Sequence, residues 1–498
     1  MRSVGNSKVK RLLGVALAVP VLLANSVVAY AQSDSASAHV ESVKSDAEIP
    51  AFGKEKAEPI VTPPSPLPPP SPPPVTTTAV NRVTARAIDK ELELMQMSTN
   101  LKIQTAPLNQ WRERRWFAYT FQNQVLTVIG VLMNGCTRFE YKKRTAAAPK
   151  NIFVNASWVR LVAYAINLAG CAGETANDLR IQLREKKMGI DMKSYLRHSK
   201  ESLAAIDELI RQRAALIDTE QNSENREMLI REGVILSRIR NCCADDLEDA
   251  YLRAKSTRAS RYFQYGYVGA SNIVGGAGTL ANTIFTMENK PPNFLWPGGV
   301  TDTTTGFMNA FSPQAVRAAG RHAAKNAGHP LTNDLSFNAE HAIVDKFDAD
   351  LQKFCALPAC ESNSEISGHV PMYKLQGEIL AQHFSMRPVA PKGTVGPVLG
   401  DVGAFSGGVT KSANGILTLV GAYKYLEHPE RRFRSYGAGG ITYGAGMSFA
   451  AEETLRREAV SEYHWFKKPK EKRLEPTLKA QLAALDQARE NLRGSLAQ

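Results

Sequence analysis

Residues 203–217, LAAIDELIRQRAALI, and 229–254, LIREGVILSRIRNCCADDLEDAYLRA, set the fold class. Leu203, Ile206, Ile210, Ala214 and Ile217 recur at steps of three and four. So do Leu229, Gly233, Leu236, Ile239, Cys243, Leu247, Ala250 and Ala254. That period draws one apolar stripe along each of two helices. The polar break at 219–225 is short enough to fold them back as an antiparallel hairpin. Such a stripe is packing surface, so the chain is expected to be mostly α, a multi-helix bundle built around this hairpin.

The next stretch downstream, 262–287, reads YFQYGYVGASNIVGGAGTLANTIFTM and carries no charge between Arg261 and Glu288. Two further glycine-rich apolar segments follow, Thr394–Tyr425 and Ser435–Ala451. Gly396 and Gly400, Gly403 and Gly407, and Gly440 and Gly444 are pairs four apart, stacked on one helix face. A face without side chains lets two backbones approach, and inside lipid that contact stands in for the hydrophobic effect. These six are therefore read as helix-packing glycines. Membrane-inserted helices lead a close-packed soluble bundle as the reading, and glycine loops or strands come third. Asp401 and Lys411 interrupt the middle segment.

Upstream, 116–137 is also uncharged, flanked by Arg112, Arg114 and Arg115 before it and by Arg138, Lys142, Lys143 and Arg144 after. Length, basic flanks and aromatic ends suit a membrane crossing. Gln122, Asn123 and Gln124 weigh against it, since amides in hydrocarbon need partners. A buried or membrane-surface helix is slightly preferred there. Helix continues over 155–170, where Arg160 breaks any spanning pattern.

Between the glycine segments, 290–306 contains PPNFLWPGG and a threonine run and is expected to be loop. Ser312 and Pro313 supply an N-cap and first-turn proline for a helix ending near Gly328, with Pro330 beyond. Ser336 opens another helix with His341, Val344, Phe347, Leu351 and Phe354 on one face. The tail is helical and charged, with a basic patch at Lys467, Lys468, Lys470, Lys472 and Arg473 before Pro476 and a last short helix.

Residues 1–31 form an export signal. Lys8, Lys10 and Arg11 precede an apolar run from Leu12 to Val28, and Ala29-Tyr30-Ala31 is a small-x-small cleavage site before Gln32. Residues 32–79 read as a disordered arm whose proline-rich part, Pro59–Val75, is an extended polyproline II spacer reaching on the order of 50 Å. The expected division is then 1–31, 32–79, a helical domain with the hairpin at 80–262, glycine-rich helices with intervening soluble ones at 263–466, and a basic helical tail at 467–498.

Removing residues 1–31 takes away Arg2, Lys8, Lys10 and Arg11 and no acid, so the formal +13 becomes +9. A basic exported protein meets a membrane or an anionic envelope polymer, and nucleic acid is not an expected partner. Assembly with copies of itself is the other expected partnership. Six cysteines in an oxidising compartment are an even count. Cys355 and Cys360 are the best candidate pair, and Cys136, Cys171, Cys242 and Cys243 have three ways to pair.

No catalytic motif survives. Gly276-Ala277-Gly278-Thr279-Leu280-Ala281 has the glycine spacing of a dinucleotide fingerprint but no acid at the right distance. Gly407–Ser412 lacks the glycines of a phosphate loop, and Ser406 is out of register for a nucleophile elbow. His322, His329, His341, His369 and His383 share one stretch, yet a metal needs three or four convergent ligands, and a packed core histidine is the commoner role. No cofactor is expected. The expected function is a non-enzymatic cell-envelope protein, membrane-associated or self-assembling through close-packed helices. A pore or transport component and a periplasmic metal-dependent enzyme are the alternatives.

Overall fold

The computed structural model describes residues 75–140, 150–187, 191–218, 223–331, 340–357, 364–385, 395–467 and 474–497. The segment read as an export signal, with Ala29, Ala31 and Gln32, nearly all of the stretch read as an arm, the basic residues at 468–473 and Cys360 lie outside them. Among the described residues there are ten α-helices and no strand. They are α1 (Val75–Glu140), α2 (Lys150–Lys187), α3 (Met192–Ile217), α4 (Ser223–Met287), α5 (Trp296–Ala327), α6 (Glu340–Cys355), α7 (Ser364–Ser385), α8 (Val395–Tyr423), α9 (Pro429–Lys467) and α10 (Leu474–Ala497).

The amphipathic hairpin forms as its period requires. Asp191 caps α3 by accepting from the Lys193 amide, and α3 ends at Ile217. Leu203, Ile206 and Ile217 meet Leu229, Leu236, Ile239 and Leu247 of α4 in one large core. That core also takes Ile88, Leu92 and Met95 of α1, Phe347 and Phe354 of α6, Tyr373 and Leu380 of α7, and Leu485 and Leu492 of α10. In this bundle, hereafter the body, most bulky apolar side chains point inward, with Ile230 and Val234 of α4 as exposed exceptions.

Two helices do not stop at the edge of the body. α1 has 66 residues and α4 has 65, about 100 Å each at 1.5 Å per residue. Their C-terminal halves leave the body and join α2, α5, α8 and α9 in a second bundle. Each helix there packs on two neighbours in the closed order α1–α2–α4–α5–α8–α9–α1. Cross-contacts show every neighbouring pair to be antiparallel. On α1 and α2, Gly130 meets Arg160 while Tyr119 meets Gly170; on α8 and α9, Gly403 meets Glu453 while Gly421 meets Tyr436. The result is a six-helix ring. Both bundles draw on residues from either side of position 262.

The structure corrects two expectations. α1 already begins at Val75, within the stretch read as arm. More consequentially, 290–306 is not loop: a 3-10 turn over Pro292–Leu295 leads straight into α5 at Trp296. Pro297 sits in the first turn, where its missing amide costs nothing, and Pro313 is inside the helix rather than at its start. The threonines that suggested loop are satisfied within the helix. Thr303, Thr304 and Thr305 each donate to the carbonyl four residues back, at 2.8, 2.9 and 2.7 Å. α5 ends at Ala327, with Gly328 at a positive φ of 63°.

Candidate functional site

The ring is sorted by polarity in the opposite sense to the body. Ile129 and Met133 of α1, Trp158, Val162 and Leu168 of α2, and Leu280, Ile284 and Met287 of α4 are exposed on its outer face. Val300, Phe307 and Phe311 of α5, Val402, Phe405, Val409 and Ile416 of α8, and Ile441 and Phe449 of α9 continue it round. Gln122, Asn155, Thr304, Thr442 and Ser448 are polar residues exposed on that face. Inside the ring are small and polar residues: Ala156, Ala163, Asn167, Asn272, Thr279, Thr283, Thr305, Ser412 and Asn414 are all buried.

Glycines bring the walls together. A Cβ on Gly440 of α9 would lie 2.8 Å from the Gly135 Cα of α1 and 3.0 Å from the Val131 carbonyl. One on Gly444 would meet the Leu132 side chain at 2.4 Å. Gly403 lies beside Glu453 and Ala450, and Gly407 beside Met447 and Ala450. Gly396 and Gly400 are in the first turns of α8, outside the residues whose packing is described. The closest backbone approach is between α5 and α8 and involves glycines the four-residue pairs did not single out. Gly306 would place a Cβ 2.6 Å from the Gly408 carbonyl, and Gly415 one 2.5 Å from the Gly299 carbonyl. Gly299/Gly306 and Gly408/Gly415 are each seven apart, two helical turns, and that spacing is the signal in the sequence that marks them.

Charged residues close the ring at both ends. Next to the body, Arg115 donates to Glu174 at 2.6 Å, Arg114 to Glu462 at 2.7 Å and Arg258 to Glu185 at 2.6 Å, and Arg317 pairs with Asp401. At the far end Lys290, Lys424, Glu427, Glu430, Arg431 and Arg434 are exposed, and Arg138 stacks on Tyr436 and Phe153. Between the two borders only three charged side chains occur among the described residues: Arg160 of α2, Asp302 of α5 and Lys411 of α8. All three point inward and meet at mid-height. Arg160 Nη2 donates to both Asp302 oxygens, at 2.9 and 3.1 Å, and Asn414 Nδ2 donates to Asp302 at 2.8 Å. Lys411, 1% exposed, lies with its Nζ 5.1 Å from the centre of the Tyr164 ring, and the Arg160 guanidinium is 5.9 Å from that of Tyr443. Arg160, which read as an obstacle to a spanning helix, is the hub of this cluster. Periodicity hints at it, because Arg160, Tyr164 and Asn167 share one stripe of α2.

The body holds His322, His329, His369 and His383; the side chain of His341 on α6 lies outside those described. His369 meets Glu232 at 2.9 Å, and the same carboxylate accepts from Arg213 at 2.7 Å and from Tyr373 at 3.0 Å. His383 meets Asp246 at 2.8 Å, beside Lys102 and Ser98. His329 pairs with Glu248, and His322 with Asn326 on the same helix. Each is thus tied to a different partner, and no group of three metal-ligating side chains gathers among the described residues. Burial alone would raise the Asp246 and Glu232 carboxyls. Lys102 and His383 outweigh it at Asp246, and His369 and Arg213 at Glu232, so both stay below the usual carboxylate range. Glu91 behaves oppositely: buried with only Gln376 donating to it, it is pushed well above that range.

The five described cysteines, Cys136, Cys171, Cys242, Cys243 and Cys355, are free thiols. Cys355 is at the end of α6, and its expected pairing with Cys360 lies outside the described residues. Cys136 is exposed outside the ring, Cys171 is buried on α2, and Cys242 and Cys243 are neighbours in the core of the body. Burial pushes the Cys242 thiol up to about 12 and Cys243 well above its ordinary value, which leaves both unreactive. No protein-family model matches this chain, and neither does any curated protein or solved structure.

Proposed function

We propose that the protein is an integral membrane component whose six-helix ring spans the bilayer and holds the helical body against one of its faces. The observation that carries this reading is the inversion between the bundles: large apolar side chains face inward in the body and outward on all six helices of the ring. Soluble proteins rarely leave so continuous an apolar surface uncovered. The uncharged zones match a bilayer, since residues 116–137 and 262–287 rise about 33 and 39 Å against a hydrocarbon core of about 30 Å. By length and composition one described helical stretch, beginning at Lys150, is apolar enough to pass as a span. The other five fall short because their inner faces are glycine, serine, threonine and asparagine, which touch protein and not lipid.

Basic residues favour one orientation. The short far-end connections carry Lys142, Lys143, Arg144, Lys290 and Lys424, with Arg431 and Arg432 following in the first turn of α9, and short basic loops stay on the cytoplasmic side. The body then lies outside the cytoplasm, where an export signal at residues 1–31 would send it. In this reading the protein is a non-enzymatic envelope component that presents a helical surface on the exported side. The test is extraction: the chain should stay in the membrane pellet through alkaline carbonate and leave only with detergent. Release by carbonate or salt sinks the proposal. Orientation is read separately in sealed right-side-out membranes. An epitope in the 424–428 turn should be shielded until lysis, and one after Ala497 should be open.

A second reading, a pore or transport component, is favoured by the Arg160–Asp302–Lys411 cluster, because ionisable side chains at mid-bilayer are expensive to keep. Ion flux in vesicles bearing the inserted protein, lost on Lys411→Met, supports it; no flux with insertion verified counts against it.

A further inference from the structure

The charge at the centre of the ring does not balance. Two cations, Arg160 and Lys411, face one acid, Asp302, with no other charged side chain between the borders among the described residues. Asp302 is already committed to Arg160 and Asn414. Lys411 has no hydrogen-bond acceptor among the described residues; its one described polar contact is the face of Tyr164. Arg160 Nε is likewise buried without a partner. So donor groups and one surplus positive charge converge on Tyr164 from opposite sides of the ring. An unpaired cation withdrawn from water costs several kcal/mol. The matching ligand is all acceptor and carries a single negative charge.

Size narrows it further. Lys411 is 1% and Arg160 9% exposed, and α4 packs directly on the Tyr164 ring at Gly275, so the ligand is one small enough to be enclosed with the two cations. We infer that the ring binds a small monovalent anion of the halide class, held by Lys411 with Arg160 beside Tyr164. The inference concerns the same cluster as the transport reading but not whether anything crosses the membrane, and it is measured in detergent, apart from extraction behaviour.

The experiment uses the full chain purified in detergent, with chloride exchanged for gluconate at constant ionic strength and bromide as chloride's heavier stand-in. The thermal midpoint should rise by a few degrees and saturate with chloride or bromide, as expected for a ligand that binds only the folded state. Lys411→Met should abolish that rise, and Lys411→Arg should restore it. Because Lys411→Met also changes packing, Tyr164→Phe serves as a second probe, expected to fold and to weaken the halide dependence. Three results overturn the inference: a midpoint indifferent to halide, an equal halide response in Lys411→Met, or a tyrosinate absorption at neutral pH that Tyr164→Phe removes. The last would mean that the tyrosine itself supplies the negative charge.

Discussion

At the scale of single residues, the ring's glycines divide by what surrounds them. Gly440→Ala places its methyl against the Gly135 Cα at 2.8 Å, backbone that cannot swing aside. It should destabilise the ring by about 2 kcal/mol, an ordinary cost of overpacking. Gly173 has nothing within 4 Å of its missing Cβ, so Gly173→Ala should be neutral or stabilise by up to about 1 kcal/mol through helix propensity. Thermal unfolding of the two variants in one detergent compares them. Titratable residues in the body give a second contrast. Asp246 and Glu232 have lowered folded pKa values, so their contribution is complete above the ordinary carboxylate range and is lost as pH falls through it. Glu91 is raised, so its contribution is full below the ordinary carboxylate value and is lost as pH rises from there through its folded value. Glu91→Gln should therefore raise the midpoint at neutral pH and leave it unchanged in acid; a lower neutral midpoint would show that the charged form is needed. Single glycines and acids of this kind are poorly legible in sequence, because their meaning lies in what the neighbouring helix brings to them. Arg160 shows the limit: read alone it breaks a span, and only Asp302 on another helix makes it a hub.

At the scale of elements, legibility followed periodicity. The α3–α4 hairpin was readable because its stripe repeats cleanly and faces a single core. α5 was misread at its start because Pro, Gly and Thr signal loop when backbone groups face water. Here Gly299 and Gly306 are spaced for α8, and the threonine hydroxyls return to their own helix. α10 shows the opposite case, a tail element that proves to be part of the body. Leu478, Leu485 and Leu492 are buried, and Arg489 reaches Asp89 at 2.8 Å and Glu93 at 3.0 Å on α1. Leu485→Ala should cost about 3 kcal/mol of body stability and leave membrane retention untouched. Limited proteolysis should reveal it, with α10 cut first; equal protection in the variant would mean α10 is not docked through that leucine.

At the scale of the whole molecule, the outer face of the ring and the core of the body make separate demands on the solvent. In detergent exchanged for amphipathic polymer both bundles should keep their helicity. In plain buffer the ring's apolar face should drive association, visible as mass growth by light scattering; a monodisperse monomer without amphiphile would end the membrane reading. This sorting was only half visible in the sequence. The neutral runs were plain, but a ring that turns its polar side to its own axis dilutes the average hydropathy of each helix. The direction of the side chains becomes evident only once all six helices are set in order.

α4 passes from the body into the ring as one helix, with Leu229 and Leu247 in the core of the first and Thr279 and Thr283 buried in the second. A rod without a joint acts as an axle: a partner that tilts the body on the outer side must swing the wall of the ring with it. The glycine seams, where two backbones bear on each other with no cushion of side chains, are then the surfaces along which such a load would slide. Two glycines inserted between Arg258 and Arg261 should cut that axle and leave α1 to carry the load alone, so spin-label distances across the border should broaden while both bundles stay folded.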